Sequence, residues 1–144
     1  RGQFDKDEDF VYAIFDREES RVLGGSGLHT RIGEHAREIG YWIRADAEGN
    51  GYVTEAVAAL TRVGFELEGL DRIEIRVEPE NVRSRRIPER LGYAEEATLR
   101  GRIRNAQNEP RDVIVYSLFS DAYTESPSAQ AELEAFDAAG TKLL

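Results

Sequence analysis

Cysteine is absent from this chain of 144 residues, which excludes disulfide frameworks, thiolate metal sites and a thiol nucleophile together. Methionine is absent as well, even at position 1. A reading frame that opens at its own start codon begins with Met, so the chain is expected to be trimmed or only partly represented at its N-terminus. Histidine occurs twice, as His29 and His35, too sparsely for a His-rich cluster, and no metal is expected. No apolar run approaches the roughly eighteen residues of a membrane span, and the first ten residues are charged where a signal peptide needs its apolar stretch. These absences lead to the expectation of a soluble, cytoplasmic protein with no membrane partner, and the length is that of about one domain.

The formal charge of −9 is unevenly placed. Residues 1–20 carry three basic and seven acidic side chains and residues 121–144 one and five, so each end holds −4 and the middle only −1. Seventeen of the nineteen basic residues are arginine, several of them clustered at Arg83, Arg85, Arg86 and Arg90. Guanidinium forks suit phosphates as well as carboxylates. The cluster is short, the pI acid and no aromatics are interleaved, so nucleic acid is not an expected partner.

Patterning divides the chain into elements. Residues 10–16 and 22–30 read as a hairpin around Arg17-Glu18-Glu19-Ser20, and 38–44 as a third strand of an antiparallel meander. Gly24-Gly25-Ser26-Gly27 inside the second strand predicts a bulge or a close backbone approach. From Tyr52 to Leu70 the apolar residues Val53, Val57, Leu60, Val63, Gly64 and Leu67 recur at three and four, the stripe of an amphipathic helix that Gly69 stops. Residues 72–77 alternate as a strand. Asn81 can cap a short helix through Ser84, Ile87 and Leu91 to Gly92, in which Pro88 frees a carbonyl one turn back. Residues 93–103 and 111–119 are two further strands joined at Asn105–Asn108. The order is that of a mixed α/β sheet (α+β). Beyond Tyr123 the composition shifts, giving a domain over 1–123 and an acidic segment over 124–144. Its Ala/Glu run at 129–139, with Leu133 and Phe136, is read either as a helix docked on the body or as a frayed tail.

The segment Glu48-Gly49-Asn50-Gly51-Tyr52-Val53-Thr54-Glu55-Ala56 joins a strand to the long helix. Unpaired amides at a helix N-terminus, aligned with its dipole, can seat a phosphate. An ordinary strand-to-helix connection has the same spacing, and the glycines match neither G-x-G-x-x-G nor a Walker loop.

The ordered string Glu-Ile-Gly-Tyr-Trp-Ile at 38–43, Gly-x-Gly-Tyr-x-Thr-Glu-Ala at 49–56, Arg-Ile-Glu-Ile-Arg-Val at 72–77, Asn-x-x-Ser-Arg-Arg-x-Pro-Glu-Arg-Leu-Gly-Tyr at 81–93, Thr-Leu-Arg at 98–100 and Arg-Asp-Val-Ile-Val-Tyr-Ser-Leu at 111–118 resembles the GNAT acetyltransferases. It is nearest to ribosomal-protein N-terminal acetyltransferases of the RimJ/RimL type, and the likeness covers residues 10 to about 120. The resemblance implies the GNAT acyl-CoA N-acyltransferase fold, and acetyl-CoA as co-substrate. Its pantetheine arm would enter a gap between strands 38–44 and 72–77, bonding backbone at Trp42, Ile43 and Arg44. Amides of Gly49, Asn50, Gly51, Val53 and Thr54 would hold the pyrophosphate. Asn81 would contact the cofactor arm, and Ser84 would protonate the departing thiolate. Asn81 as a plain cap and Ser84 as a surface hydroxyl are the rival readings.

Acetyl transfer to an amine requires a deprotonated acceptor, a polarised carbonyl and a held oxyanion. An α-amine of pKa roughly 7.7–8.0 is already partly neutral near pH 7, so a water-relayed carboxylate suffices as base. Glu38 is the first candidate because its strand borders the expected cleft. Tyr41 and Tyr116 could line the acceptor site, although aromatics on strands are more often core. His29 suits a base by residue type, but a histidine near a strand end is more often structural.

Two departures from the family pattern stand out. The cofactor loop usually opens with Arg or Gln and closes with Gly or Ala, where this chain has Glu48 and Val53; an acid repels pyrophosphate unless it turns away. The usual first strand and two helices, which wall the acceptor site, are also missing ahead of Phe10. The expected function is therefore acetyl transfer to a primary amine by direct attack in a ternary complex, with a protein N-terminal α-amine as the favoured acceptor and a polyamine or aminoglycoside as the other. A GNAT module that binds CoA or a protein partner without turnover is the competing reading. Sheet edges left open by missing strands suggest a homodimer.

Overall fold

The computed structural model describes residues 9–144. Six strands form one sheet in the order β1-β2-β3-β4-β6-β5. They are β1 (Asp9–Phe15), β2 (Val22–His29), β3 (Ala36–Ile43), β4 (Arg72–Val77), β5 (Ala94–Arg104) and β6 (Pro110–Phe119). Helices α1 (Tyr52–Glu66) and α2 (Val82–Arg90) follow β3 and β4, and a single turn α3 (Ser120–Tyr123) follows β6. Every neighbouring pair is antiparallel except β3 and β4. A parallel pair needs a crossover, and α1 supplies it.

The β1–β2 turn is closed by Asp16, whose carboxylate accepts from the Ser20 amide and hydroxyl, each at 2.8 Å, and from the Arg21 amide at 3.2 Å. The β2–β3 register runs unbroken from Gly24 opposite Ile43 to His29 opposite Glu38, so the glycine-rich strand is a close approach and not a bulge there. A Cβ on Gly24 would lie 2.4 Å from the Trp42 carbonyl oxygen, and one on Gly25 2.5 Å from the indole nitrogen of Trp42.

Alternation along the strands sends Leu28, Ile39, Ile73 and Ile75 to the face that α1 covers, where they bury Val57 and Leu60, and Tyr116 to the same face beneath α2. Burial of such side chains contributes roughly 1.5–3 kcal/mol each. The helix stops earlier than its apolar stripe implied: Leu67 lies beyond the last turn and is 40% exposed. The chain turns away there through Gly69 at φ 65°.

The segment after α3 is neither of the two forms expected of it. Residues 127–130 make one 3-10 turn, and the buried Ser128 hydroxyl donates to the Leu91 carbonyl at 2.8 Å. The rest folds back in an irregular hairpin, with Phe136 bridged to Lys142 and the Leu143 amide donating to Ala135 at 2.7 Å. Leu133 and Phe136 offer too narrow an apolar stripe for a docked helix, and Phe136 stays 55% exposed. Among the described residues no helix is long and apolar enough to cross a membrane.

Candidate active site

Strands β3 and β4 pair only from Ala36 opposite Arg72 to Ile39 opposite Ile75. Past that point β3 continues through Gly40–Ile43 alongside β2 while β4 continues to Val77 alongside β6. The two strands therefore part in mid-sheet, where a parallel ladder otherwise satisfies every amide. A cavity of about 520 Å³ opens at the parting, lined by Glu38, Ile39, Gly40, Tyr41, Val77, Asn81 and Ser84 together with Arg31, Arg76 and Arg102.

Helix α2 closes one side of this cleft. The Asn81 side-chain carbonyl accepts from the Ser84 amide at 3.1 Å, so Asn81 does cap the helix. Its position on the cleft wall allows contact with a ligand as well. Pro88, four residues beyond Ser84, has no N–H to give to the Ser84 carbonyl. The Tyr41 hydroxyl from β3 donates to that carbonyl at 2.9 Å. Burial pushes the Tyr41 hydroxyl well above its ordinary pKa, so it is neutral and acts as a donor, not as a base. The Ser84 hydroxyl makes no hydrogen bond to another described residue and lies on the cleft wall.

Glu38 is buried, and both of its carboxylate oxygens are engaged. Arg31 donates through Nε at 3.1 Å and through Nη2 at 2.6 Å, and Arg76 Nε lies 3.7 Å away. Glu74, directly opposite Glu38 on β4, is bound by Arg72 at 2.9 Å and Arg76 at 3.1 Å. Two facing carboxylates would repel across the parallel pair; three guanidiniums offset that repulsion, and Glu38 in turn raises the pKa of Arg31. Tyr116 faces α2, accepting from Arg85 at 3.1 Å and donating to Glu89 at 2.9 Å. It does not line the cleft.

A second cavity, of about 240 Å³, lies where the N-terminus of α1 meets α2. Gly49 and Gly51 adopt φ of 79° and 82°, which lets the loop double back into the helix, and no side chain caps the first turn. Ile43, Val53 and Thr54 complete that wall. Val53 is buried in the core, so its branched side chain turns inward. Opposite stand Arg83, Arg86 and Arg90, spaced to share one face of α2. Glu48, itself on the wall of this cavity, forms an ion pair with Arg83.

The sequence-based candidates fall into three groups. Glu38, Tyr41, Asn81 and Ser84 converge on the first cavity, and Ile43, Gly49, Gly51, Val53 and Thr54 on the second. Asn50, Trp42 and Arg44 line neither. The Asn50 side chain donates within its own loop, to Ala47 at 3.1 Å and Glu48 at 3.2 Å. Trp42 projects from the opposite face across Gly25, and the Arg44 amide is committed to the Leu23 carbonyl at 2.8 Å. Arg31 and Arg76 are cleft residues that no motif in the sequence marks. The arginine cluster is plain in the sequence, and its 83, 86, 90 spacing is the signal that sets one face of α2 toward the glycine loop.

The acetyltransferase (GNAT) domain family matches residues 2–94, the stretch that holds the parted strands and the glycine loop. The chain belongs to the GNAT acetyltransferases. As a GNAT domain it is 34% identical over 113 residues to the uncharacterized N-acetyltransferase p20 of Bacillus licheniformis, covering 78% of this chain and 63% of that protein. It is 40% identical over 82 residues to a protein of Bacillus subtilis named "Putative ribosomal N-acetyltransferase YdaF", covering 56% of this chain and 44% of that protein. The chain thus spans less than two thirds of the length of these relatives. Among solved structures, one titled "Structure of a putative ribosomal-protein-serine acetyltransferase from Vibrio cholerae" superposes with a TM-score of 0.72 at 32% identity, covering 83% of this chain and 68% of that one.

Proposed function

We propose that this GNAT domain transfers an acetyl group from acetyl-CoA to a primary amine, and that the acceptor is the α-amine of a protein N-terminus. The observation that carries this is the parting of β3 from β4 beyond Ile39 and Ile75, with Ser84 on the wall of the resulting cleft. The residues present fit the donor. Gly49 and Gly51 leave open space where a Cβ would stand. The first-turn amides of α1 and the guanidiniums of Arg83, Arg86 and Arg90 complement a pyrophosphate from two sides. The free edge of β3 suits the amide groups of a pantetheine arm.

In this reading the amine attacks the thioester carbonyl directly. The Ser84 hydroxyl protonates the leaving thiolate, while Tyr41 is a positioning residue that holds the first turn of α2 against β3. Glu38 organises Arg31 and Arg76 at the cleft mouth, since its oxygens are already occupied. The relatives named for ribosomal acetylation favour a ribosomal-protein acceptor over a small amine in this reading.

The test is an acceptor panel. The chain is incubated with acetyl-CoA and peptides beginning with Ser or Ala, the same peptides with blocked N-termini, spermidine and an aminoglycoside, and thiol release is followed alongside mass spectrometry. Acetylation of the unblocked peptides alone is expected. Transfer only to spermidine or the aminoglycoside would overturn the acceptor, and no transfer to any amine would favour a binding module without turnover.

A further inference from the structure

Direct attack also needs a group that takes the acceptor's proton: Glu38 is held by Arg31, Tyr41 is neutral, and Glu78, a third side chain of the cleft wall, faces Arg111 at 4.0 Å. One titratable pair on the same sheet face is unused. His29 on β2 has its Nδ1 2.9 Å from an oxygen of Asp9 on the neighbouring β1. A carboxylate oxygen accepts, so the tautomer this contact favours has its hydrogen on Nδ1 and its lone pair on Nε2.

Two glycines determine where Nε2 goes. A Cβ on Gly27 would lie 3.2 Å from Nε2, and a Cβ on Gly40 3.3 Å from it. The ring is laid across a floor that any other residue type at 27 or 40 would crowd. Gly40 is itself part of the wall of the main cleft, on the stretch of β3 that has left β4. Nε2 therefore lies over Gly40, one residue behind the cleft wall, on the sheet face away from α1 and α2. The His29 side chain is only 18% exposed, so the pair is largely shielded from water.

We propose that His29, oriented by Asp9, is the general base of acetyl transfer. The inference rests on the acetyltransferase reading of the cleft. The acceptor ammonium gives one proton to Nε2, directly or through one water. Its lone pair forms the C–N bond at the acetyl carbon while the carbonyl π pair moves onto oxygen. Collapse breaks the C–S bond, the Ser84 hydroxyl protonates the thiolate, and the resulting alkoxide takes the second proton from nitrogen. His29 then releases its proton to solvent. The charged groups around the ring are Asp9 from β1, Glu38 from β3 and Arg31 from the β2–β3 turn, with Arg76 and Glu74 from β4 beyond them.

The experiment is the pH dependence of kcat/KM, with acetyl-CoA and an unblocked Ser-initiated peptide, for the unmodified chain and for His29→Asn, His29→Gln and Asp9→Asn. His29→Asn keeps an N–H for Asp9 but has nothing basic at the Nε2 position. Both His29 variants are expected to lose about 10²-fold or more in kcat/KM and the acid limb of the profile, while acetyl-CoA affinity stays unchanged. Asp9→Asn loosens the hold on Nδ1, so kcat/KM should fall while acetyl-CoA affinity is retained. An unchanged profile in folded His29→Asn and His29→Gln would overturn the assignment while the acetyltransferase reading stands. An unmodified chain that acetylates no amine would bring down that reading, and this inference with it.

Discussion

The Tyr41 hydroxyl donates a hydrogen bond of 2.9 Å to the Ser84 carbonyl, the very group that Pro88 leaves without a helical donor. A proline that would weaken α2 in isolation thus creates the acceptor that ties the helix to the parted strand, and the tie lies on the cleft wall beside the Ser84 hydroxyl. Tyr41→Phe should cost about 0.5–1.5 kcal/mol in urea unfolding, the net contribution of a typical hydrogen bond at a part-buried acceptor. It should also slow turnover on the order of tenfold through misplacement of Ser84, with acetyl-CoA affinity retained.

Buried tyrosines set the alkaline limit of stability. Burial raises the pKa of Tyr41 and of Tyr93 in the folded chain, whereas in the unfolded chain they ionise near 10. Below about pH 10 both states are protonated and the stabilisation is fully present; above it the unfolded state loses protons first, so stability falls as pH rises. Unfolding midpoints measured from pH 7 to 11 should be level at first and then decline, less steeply in Tyr93→Phe.

The Tyr93 hydroxyl and the Thr61 hydroxyl lie 2.7 Å apart, both buried, with Thr61 also donating to the Val57 carbonyl at 2.7 Å. Because Thr61 spends its hydrogen on Val57, Tyr93 is the donor between the two. Thr61→Val should cost about 1–3 kcal/mol and Tyr93→Phe a similar amount. The double variant should be more stable than the sum of the two implies, since neither partner is then left unpaired.

Gly51 enters α1 at φ 82° with nothing near the Cβ position. Gly51→Ala therefore isolates backbone strain, and about 1–2 kcal/mol of destabilisation is expected. Any shift toward a relaxed φ would re-aim the first-turn amides, so calorimetry should also show weaker binding of acetyl-CoA.

Glu48 and Arg83 compete with a ligand for each other's charge. Exposed pairs contribute roughly 0.2–1 kcal/mol. Glu48→Gln should accordingly tighten acetyl-CoA binding by up to about fivefold, and Arg83→Ala should weaken it; a titration at two salt concentrations checks both.

The strands and both long helices were legible from the residues because each carries its own period: Arg72–Val77 alternates, and Val53, Val57 and Leu60 keep one face. The split between β3 and β4 came from resemblance, since no local propensity distinguishes Ile39, which pairs with β4, from Tyr41, which pairs with β2 alone. Glu38 illustrates the remaining limit. Its place beside the cleft follows from the strand it occupies, but the fate of its carboxylate depends on Arg31 and Arg76, which approach from a turn and from a strand distant in sequence. The acidic tail misled for a related reason: helix propensity in the Ala/Glu run is strong, yet Ser128 docks on Leu91 and redirects the chain.

Titration calorimetry of the chain with acetyl-CoA, with desulfo-CoA alongside, shows whether the parted strands and the glycine loop form an acetyl-CoA site. Both ligands should bind with Kd of about micromolar order, or −8 kcal/mol, and Gly51→Ala should weaken both. Absence of heat at about millimolar ligand, where even a Kd worth −4 kcal/mol would register, would contradict the account.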